Sequence, residues 1–249
     1  IKFIIYENNL IIGKANKYLL PFANKVFVSY KELSGIKKKY FHKIFVIGNI
    51  IDKNIINFSK KYTEKKNSNK INILILGGSQ AAKIFADKLP RIFLNCSELG
   101  ISLKIYQHCL PSQNENLKLF YEKTNIDYET FNFTQNLIKY FSKTDLAITR
   151  SGSSMLAELT NANIPFISIP LPSSADNHQL KNAIYYQRKN FSLLIEEKDL
   201  NEKLFRIIKD IHENITILNK IRQNQRQYSD KNVYNNINEV LKKIIDEKN

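Results

Sequence analysis

Short apolar, β-rich runs alternate with stretches of helical periodicity along the chain. Strands are predicted at 2–6 (KFIIY), 25–29 (KVFVS), 43–47 (KIFVI), 71–76 (INILIL), 102–107 (SLKIYQ), 127–131 (DYETF), 145–149 (DLAIT), 165–169 (PFISI) and 191–195 (FSLLI). Most of the gaps between them read as helix: Leu117, Phe120 and Tyr121, for example, stand at i, i+3 and i+4. The alternation predicts an α/β protein with parallel sheets. The tail, 200–249, is helical and highly charged. Leu204, Ile207, Ile208 and Ile211 make one apolar stripe, and Ile237, Val240, Leu241, Ile244 and Ile245 make a second.

The pattern breaks at 57–70 (NFSKKYTEKKNSNK), a polar, Lys-rich stretch that reads as a linker. Beyond it, 71–199 holds six strand candidates with crossovers, a complete doubly wound unit. Before it, 1–56 holds only three, a poor core by itself, and reads as the end of a first domain whose beginning is absent. The chain starts at Ile1 and its single Met is Met155, which agrees with a trimmed or partial product. No internal repeat is evident.

Composition narrows the classes. At 43% hydrophobic residues the chain is neither disordered nor membrane-embedded, and no run of about 18 apolar residues exists to span a bilayer. Two cysteines, Cys96 and Cys109, lack metal-ligand spacing and read as reduced thiols of a cytosolic protein. The net charge is +15, and residues 1–70 carry 15 Lys and Arg against Glu7, Glu32, Asp52 and Glu64. Charge gathered at one end suggests an anionic surface nearby. Only six residues are Arg, the side chain that base readout favours, and no RNA-binding motif is seen, so nucleic acid is not expected as a partner.

Three loops, each after a strand, carry candidate chemistry. Leu76-Gly77-Gly78-Ser79-Gln80-Ala81-Ala82 follows the strongest strand. Glycines opening a helix let backbone N–H groups approach a phosphate, with the helix dipole behind them, and Ser79 adds a hydroxyl donor. The spacing fits neither G-x-G-x-x-G nor a Walker loop, so a plain capped turn is the alternative. Thr149-Arg150-Ser151-Gly152-Ser153-Ser154 turns into a helix that Ser153 or Ser154 would cap. Glu158, one turn further on, suits a ribose diol, or else simply complements the helix dipole. Pro170 to Ala183 contains Asp176, expected to cap a helix, followed by Asn177, His178, Gln179 and Asn182, a density of neutral donors and acceptors suited to sugar hydroxyls. All three loops lie at the C-terminal ends of strands, where open α/β sheets bind ligands. Together they spell a nucleotide-sugar.

GGSQAA, RSGSSMLAE and ADNHQLKNA, in this order and spacing, resemble the MurG-type family, as do Tyr6-Glu7-Asn8-Asn9 with Gly13 to Lys17, and Gly48-Asn49. The resemblance covers the whole chain and leaves out roughly the first third of the family's length. It implies the GT-B arrangement of two Rossmann-like domains, the first truncated here, with a final helix returning to the first domain. It implies inverting transfer of N-acetylglucosamine from UDP-N-acetylglucosamine to lipid I, giving lipid II for peptidoglycan, at the cytoplasmic face of the bacterial membrane. The partners are then the UDP-sugar, lipid I (undecaprenyl-pyrophosphoryl-MurNAc-pentapeptide) and an anionic membrane surface. No cofactor or metal is implied, and no Asp-x-Asp motif occurs. By this resemblance Gly78 and Ser79 meet the diphosphate, Thr134 lies beside the uracil, and Ser153 and Ser154 cover the nucleotide. Glu158 holds the ribose, His178, Gln179 and Asn182 hold the sugar, and Asn9 faces the donor across the cleft.

The sequence departs from the family's pattern at several positions. Asp52 stands where the family has a phosphate-facing Arg, Ile50 where it has Pro, Tyr6 where it has His, and Ala81 where it usually has Gly. The general base is unassigned. The family's candidate falls in the absent N-terminal loop, and Glu7 is a remote second. These residues alone are therefore expected not to complete transfer, and the alternative reading is a non-catalytic or split-gene nucleotide-sugar-binding fragment.

Overall fold

The computed structural model describes residues 2–59, 70–78, 82–132, 134 and 136–246. Most of the expected linker lies outside them. Two parallel sheets organise these residues. The first has the order β1-β2-β3, from Ile4–Glu7, Lys25–Val28 and Ile44–Val46. Helix α1 (Lys14–Leu19) crosses between β1 and β2, and α2 (Lys53–Ser59) follows β3.

The second sheet has the order β6-β5-β4-β7-β8-β9. Its strands are β4 (Lys70–Leu76), β5 (Ser102–His108), β6 (Asp127–Phe131), β7 (Leu146–Thr149), β8 (Phe166–Ser168) and β9 (Leu193–Leu194). The crossovers are α3 (Lys83–Glu98), α4 (Pro111–Tyr121), α5 (Ile138–Phe141), α6 (Ser153–Asn161) and α7 (His178–Arg188). Three helices close the chain: α8 (Leu200–Glu213), α9 (Thr216–Arg226) and α10 (Val233–Asp246).

Every predicted strand coincides with an observed one. Helices cover both faces of the large sheet, so its central strands must be apolar at successive positions. Ile73, Leu74 and Ile75 of β4 and Leu146, Ala147 and Ile148 of β7 are fully buried. Odd and even residues feed different cores. Ile73 and Ile75 pack with α3, α4 and α8, while Leu74 and Leu76 pack with α6 and α7. Each such Ile or Leu contributes about 1.5–3 kcal/mol. From β4 the chain runs outward through β5 and β6, and from β7 it runs the other way through β8 and β9. The order therefore reverses between β4 and β7, and the crevice at that switch point is where this topology leaves room for a ligand.

The two sheets share core. Leu10, Tyr30 and Ile55 of the first unit are buried among Leu76, Leu156 and Tyr186 of the second. Helix α10 returns to the first sheet, where Val233, Ile237, Val240 and Leu241 pack on Phe27, Phe45 and Ile47. Ile244 is buried there, but Ile245, expected in the same stripe, is 63% exposed because it falls off the contact face.

Asp230 pins the junction. Its buried carboxylate accepts from the Asn49 backbone N–H (2.8 Å), the Asn161 amide (2.8 Å) and the Tyr228 hydroxyl (3.2 Å). Burial pushes its pKa up, and these hydrogen bonds pull it back. Gly48 is required beside it. Its φ is +95°, and a Cβ there would lie 2.6 Å from Asp230 Oδ1.

Candidate functional site

The switch point opens into a cavity of about 1090 Å³, lined by Gly77, Gly78, Arg150, Gly152, Met155 and Gln179 among others. All three candidate loops contribute to it. Gly78 has φ +77°, and no described residue beyond its chain neighbours lies within 4 Å of where a Cβ would stand, so the backbone here is open to close approach. Ser79 lies outside the described residues.

Helix α6 begins at the end of β7. Gly152 occupies the N-cap, and no side chain caps the helix. The expected capping by Ser153 or Ser154 is thus corrected: both hydroxyls face the first unit instead. Ser153 Oγ donates to the Asn8 carbonyl and sits 3.3 Å from the Tyr30 hydroxyl, and Ser154 Oγ accepts from the Asn8 amide at 3.2 Å. The first-turn N–H groups of α6 remain available to an anion.

Glu158 is half-buried on α6, and its carboxylate has no hydrogen-bond partner among the described residues. Burial, and secondarily the Asp52 carboxylate, hold its pKa up at about 7. Asp52 itself caps α2, where its Oδ1 accepts from the Asn54 N–H at 2.7 Å. This chain therefore uses the position as a helix cap.

The third loop departs from its expected form. Asp176 does not cap α7. Asp176 and Asn177 both adopt left-handed conformations, φ 50° and 53°, and Asn177 takes the N-cap position without a side-chain bond. The His178 ring turns to its own loop, Nδ1 lying 2.8 Å from the Ala175 carbonyl. Gln179 bridges two loops. Its Oε1 accepts from the Ser151 N–H (3.2 Å) and the Leu171 N–H (3.0 Å). With the acceptor end occupied, the Nε2 donor is the end left for a ligand.

Asn182 is buried and committed to the protein. Its amide donates to Asn9 Oδ1 (3.1 Å) and the Ser151 carbonyl (3.2 Å), and its Oδ1 accepts from the Leu10 N–H (3.3 Å). Asn9 and Asn182 thus clasp the two units together, so Asn182 has no group turned to a sugar. Glu7 is corrected as a base candidate. It is buried, and its carboxylate accepts from the Asn9 N–H, the Gly13 N–H (2.8 Å) and the Asn16 amide (2.9 Å), fixing the loop after β1. A carboxylate so saturated has no site for an incoming proton. Thr134 is half-buried, caps a local turn through the Asn136 N–H (3.1 Å) and does not line the cavity.

Sequence reasoning passed over the Arg150 side chain. It donates to the Ile169 and Pro170 carbonyls (3.3 Å each), lies over the Phe85 ring at 5.0 Å, and contacts Glu197 at 2.6 Å. The signal was present: a scarce Arg inside a ligand-type loop.

Comparison with known proteins shows the family and the fold. The model of the glycosyltransferase family 28 C-terminal domain matches residues 72–240. A Pelagibacter ubique protein named UDP-N-acetylglucosamine–N-acetylmuramyl-(pentapeptide) pyrophosphoryl-undecaprenol N-acetylglucosamine transferase is 36% identical over 99% of this chain and 68% of its own length. A Rickettsia felis protein of the same name is 34% identical over 90% of this chain and 64% of its own. The fold is shared with the crystal structure of Acinetobacter baumannii MurG, at a TM-score of 0.77 and 22% identity, covering 98% of this chain and 67% of that one. The chain thus spans about two thirds of the length of these proteins, and it belongs to the MurG-type glycosyltransferases of family 28.

Proposed function

We propose that this chain holds UDP-N-acetylglucosamine for inverting transfer of the sugar to lipid I, making lipid II for peptidoglycan. The observation that carries this reading is the convergence of three strand-end loops on one cavity at the switch point. Glu158 does not itself line that cavity; it lies on α6, whose N-cap Gly152 and first-turn Met155 do, and its carboxylate has no hydrogen-bond partner among the described residues. In this reading the diphosphate meets the backbone at Gly78, the open end of α6 and Ser79, and Glu158 accepts from the ribose diol. Gln179 Nε2, with His178 at the rim, reaches the sugar. Ser153, Ser154, Asn9 and Asn182 brace the loops behind it at the seam between the two units, and a uracil contact with Thr134 would need the ligand to extend beyond the cavity. As UDP leaves, the α6 N-terminus stabilises the growing charge on the diphosphate. The base and the acceptor site belong to the portion of the relatives' length that these residues do not include.

The first unit is the membrane face in this reading. Tyr18 (77% exposed), Phe22 (71%) and Phe41 (54%) stand out from it. Lys14, Lys17, Lys37, Lys38 and Lys39 are exposed in the same segment of chain. Aromatics among lysines suit the cytoplasmic leaflet, where each Lys contributes about 1 kcal/mol, and no described helix is long and apolar enough to cross a membrane.

The test is calorimetry with UDP-N-acetylglucosamine. Binding is expected, weakened by about 1–3 kcal/mol in Glu158→Ala. Equal affinity in both proteins would remove Glu158 from the ribose.

A further inference from the structure

We infer that Glu197 is a positioning residue for sugar recognition, acting through Arg150 on the loop that Gln179 joins; this rests on the reading of the cavity just given. Glu197 lies in a one-turn 3₁₀ element, Glu197–Asp199, between β9 and α8, outside the three candidate loops. Its neighbours are engaged on the surface: Glu196 pairs with Lys198 (3.0 Å) and Asp199 with Lys203 (2.7 Å). Glu197 instead turns inward to Arg150 Nη2 at 2.6 Å, an ion pair with the Arg150 side chain only 11% exposed.

The pair acts on a defined piece of backbone. Arg150 Nη1 draws in the Ile169 and Pro170 carbonyls at the end of β8. The next N–H along, Leu171, donates to Gln179 Oε1, and the residue after Arg150, Ser151, donates to that same oxygen. Arg150 and Gln179 therefore join the same two loops with opposite polarity, the cation through carbonyls and the amide oxygen through N–H groups. Moving the guanidinium releases the Leu171 N–H, and with it the orientation that leaves Gln179 Nε2 outward.

Glu197 also sets what else Arg150 can do. Arg150 lines the cavity, and an unpaired guanidinium there would be drawn to a diphosphate. Neutralising Glu197 frees it to leave the carbonyls for the ligand. The expected signature separates the two ends of the ligand: sugar discrimination falls, while the nucleoside diphosphate keeps its affinity or gains.

The test uses the 249-residue chain and its Glu197→Gln variant. Calorimetry measures UDP-N-acetylglucosamine and UDP, and hydrogen exchange measures the Leu171 amide in the ligand-free proteins. In the variant, the affinity for UDP-N-acetylglucosamine relative to UDP is expected to fall about fivefold or more, the loss of roughly one hydrogen bond. UDP itself should stay within about twofold or tighten, and Leu171 should exchange faster. Equal weakening of both ligands, or no change in either, would overturn the inference. So would Leu171 exchanging at the wild-type rate, a result that stands without any ligand. Failure of the wild-type chain to bind either nucleotide would instead overturn the functional reading of the cavity.

Discussion

If Glu158 holds the ribose as proposed, donor binding should depend on pH near neutrality. The carboxylate has no hydrogen-bond partner among the described residues, and burial together with Asp52 raises its pKa from 4.5 to about 7. An ionised carboxylate can accept from both hydroxyls of a diol, and a protonated one cannot. Affinity for UDP-N-acetylglucosamine is therefore expected to rise between pH 6 and pH 8 and to fall by up to tenfold per unit below pH 7. The sugar nucleotide is the right probe, because its diphosphate lacks the terminal phosphate whose second proton titrates near pH 6. Glu158→Gln should bind more weakly at pH 8 and show a flat profile. In Asp52→Asn the rise should move to lower pH by less than half of the displacement, since burial is the larger cause.

Stability runs the opposite way. Between pH 4.5 and pH 7 the folded protein holds a proton at Glu158 that the unfolded chain has lost. The contribution is full below pH 4.5 and gone above pH 7, about 3 kcal/mol in all. Glu158→Gln should accordingly raise the unfolding free energy at pH 8 and leave it little changed at pH 4. A flat wild-type binding profile from pH 6 to pH 8, or one that Glu158→Gln reproduces, would refute the reasoning.

Other consequences are as direct. Gly48→Ala forces a side chain into a left-handed backbone and against Asp230, and should cost about 2–3 kcal/mol in urea unfolding. Asp230→Ala strands the Asn49 N–H and the Asn161 amide at the junction, and should cost about 3 kcal/mol or more, read by the same assay. In a flotation assay the chain should bind anionic but not neutral vesicles, and lose that binding in high salt and in a Lys37/Lys38/Lys39→Gln variant. Equal, negligible binding to both would remove the membrane face.

Strand positions, and the strand-end loops that line the cavity, were legible in the sequence because they follow from local pattern. INILIL and DLAIT read as strands wherever they are met, and the glycines after them mark the turns that a ligand approaches. What each polar residue faces was not legible. Ser153, Asn182 and Glu7 sit in motifs rich in donors and acceptors, but such groups serve a protein partner as well as a ligand. Here Asn8 and Asn9 claim Ser153 and Asn182, contacts that appear only when the two units close on each other, and the loop after β1 folds back so that its Gly13 N–H claims Glu7. Asp176 has the right residue type for a cap, yet left-handed backbone at Asp176 and Asn177 carries it past that position. The Arg150–Glu197 pair joins residues far apart in the chain, with no periodicity to connect them.

The most direct test of the donor site is a crystal structure of the chain with UDP-N-acetylglucosamine. The diphosphate is predicted between Gly78 and the N-terminus of α6, with the ribose hydroxyls on Glu158 and the sugar within hydrogen-bonding reach of Gln179 Nε2. A nucleotide bound away from Glu158, along the part of the cavity between α3 and α4, would contradict the account.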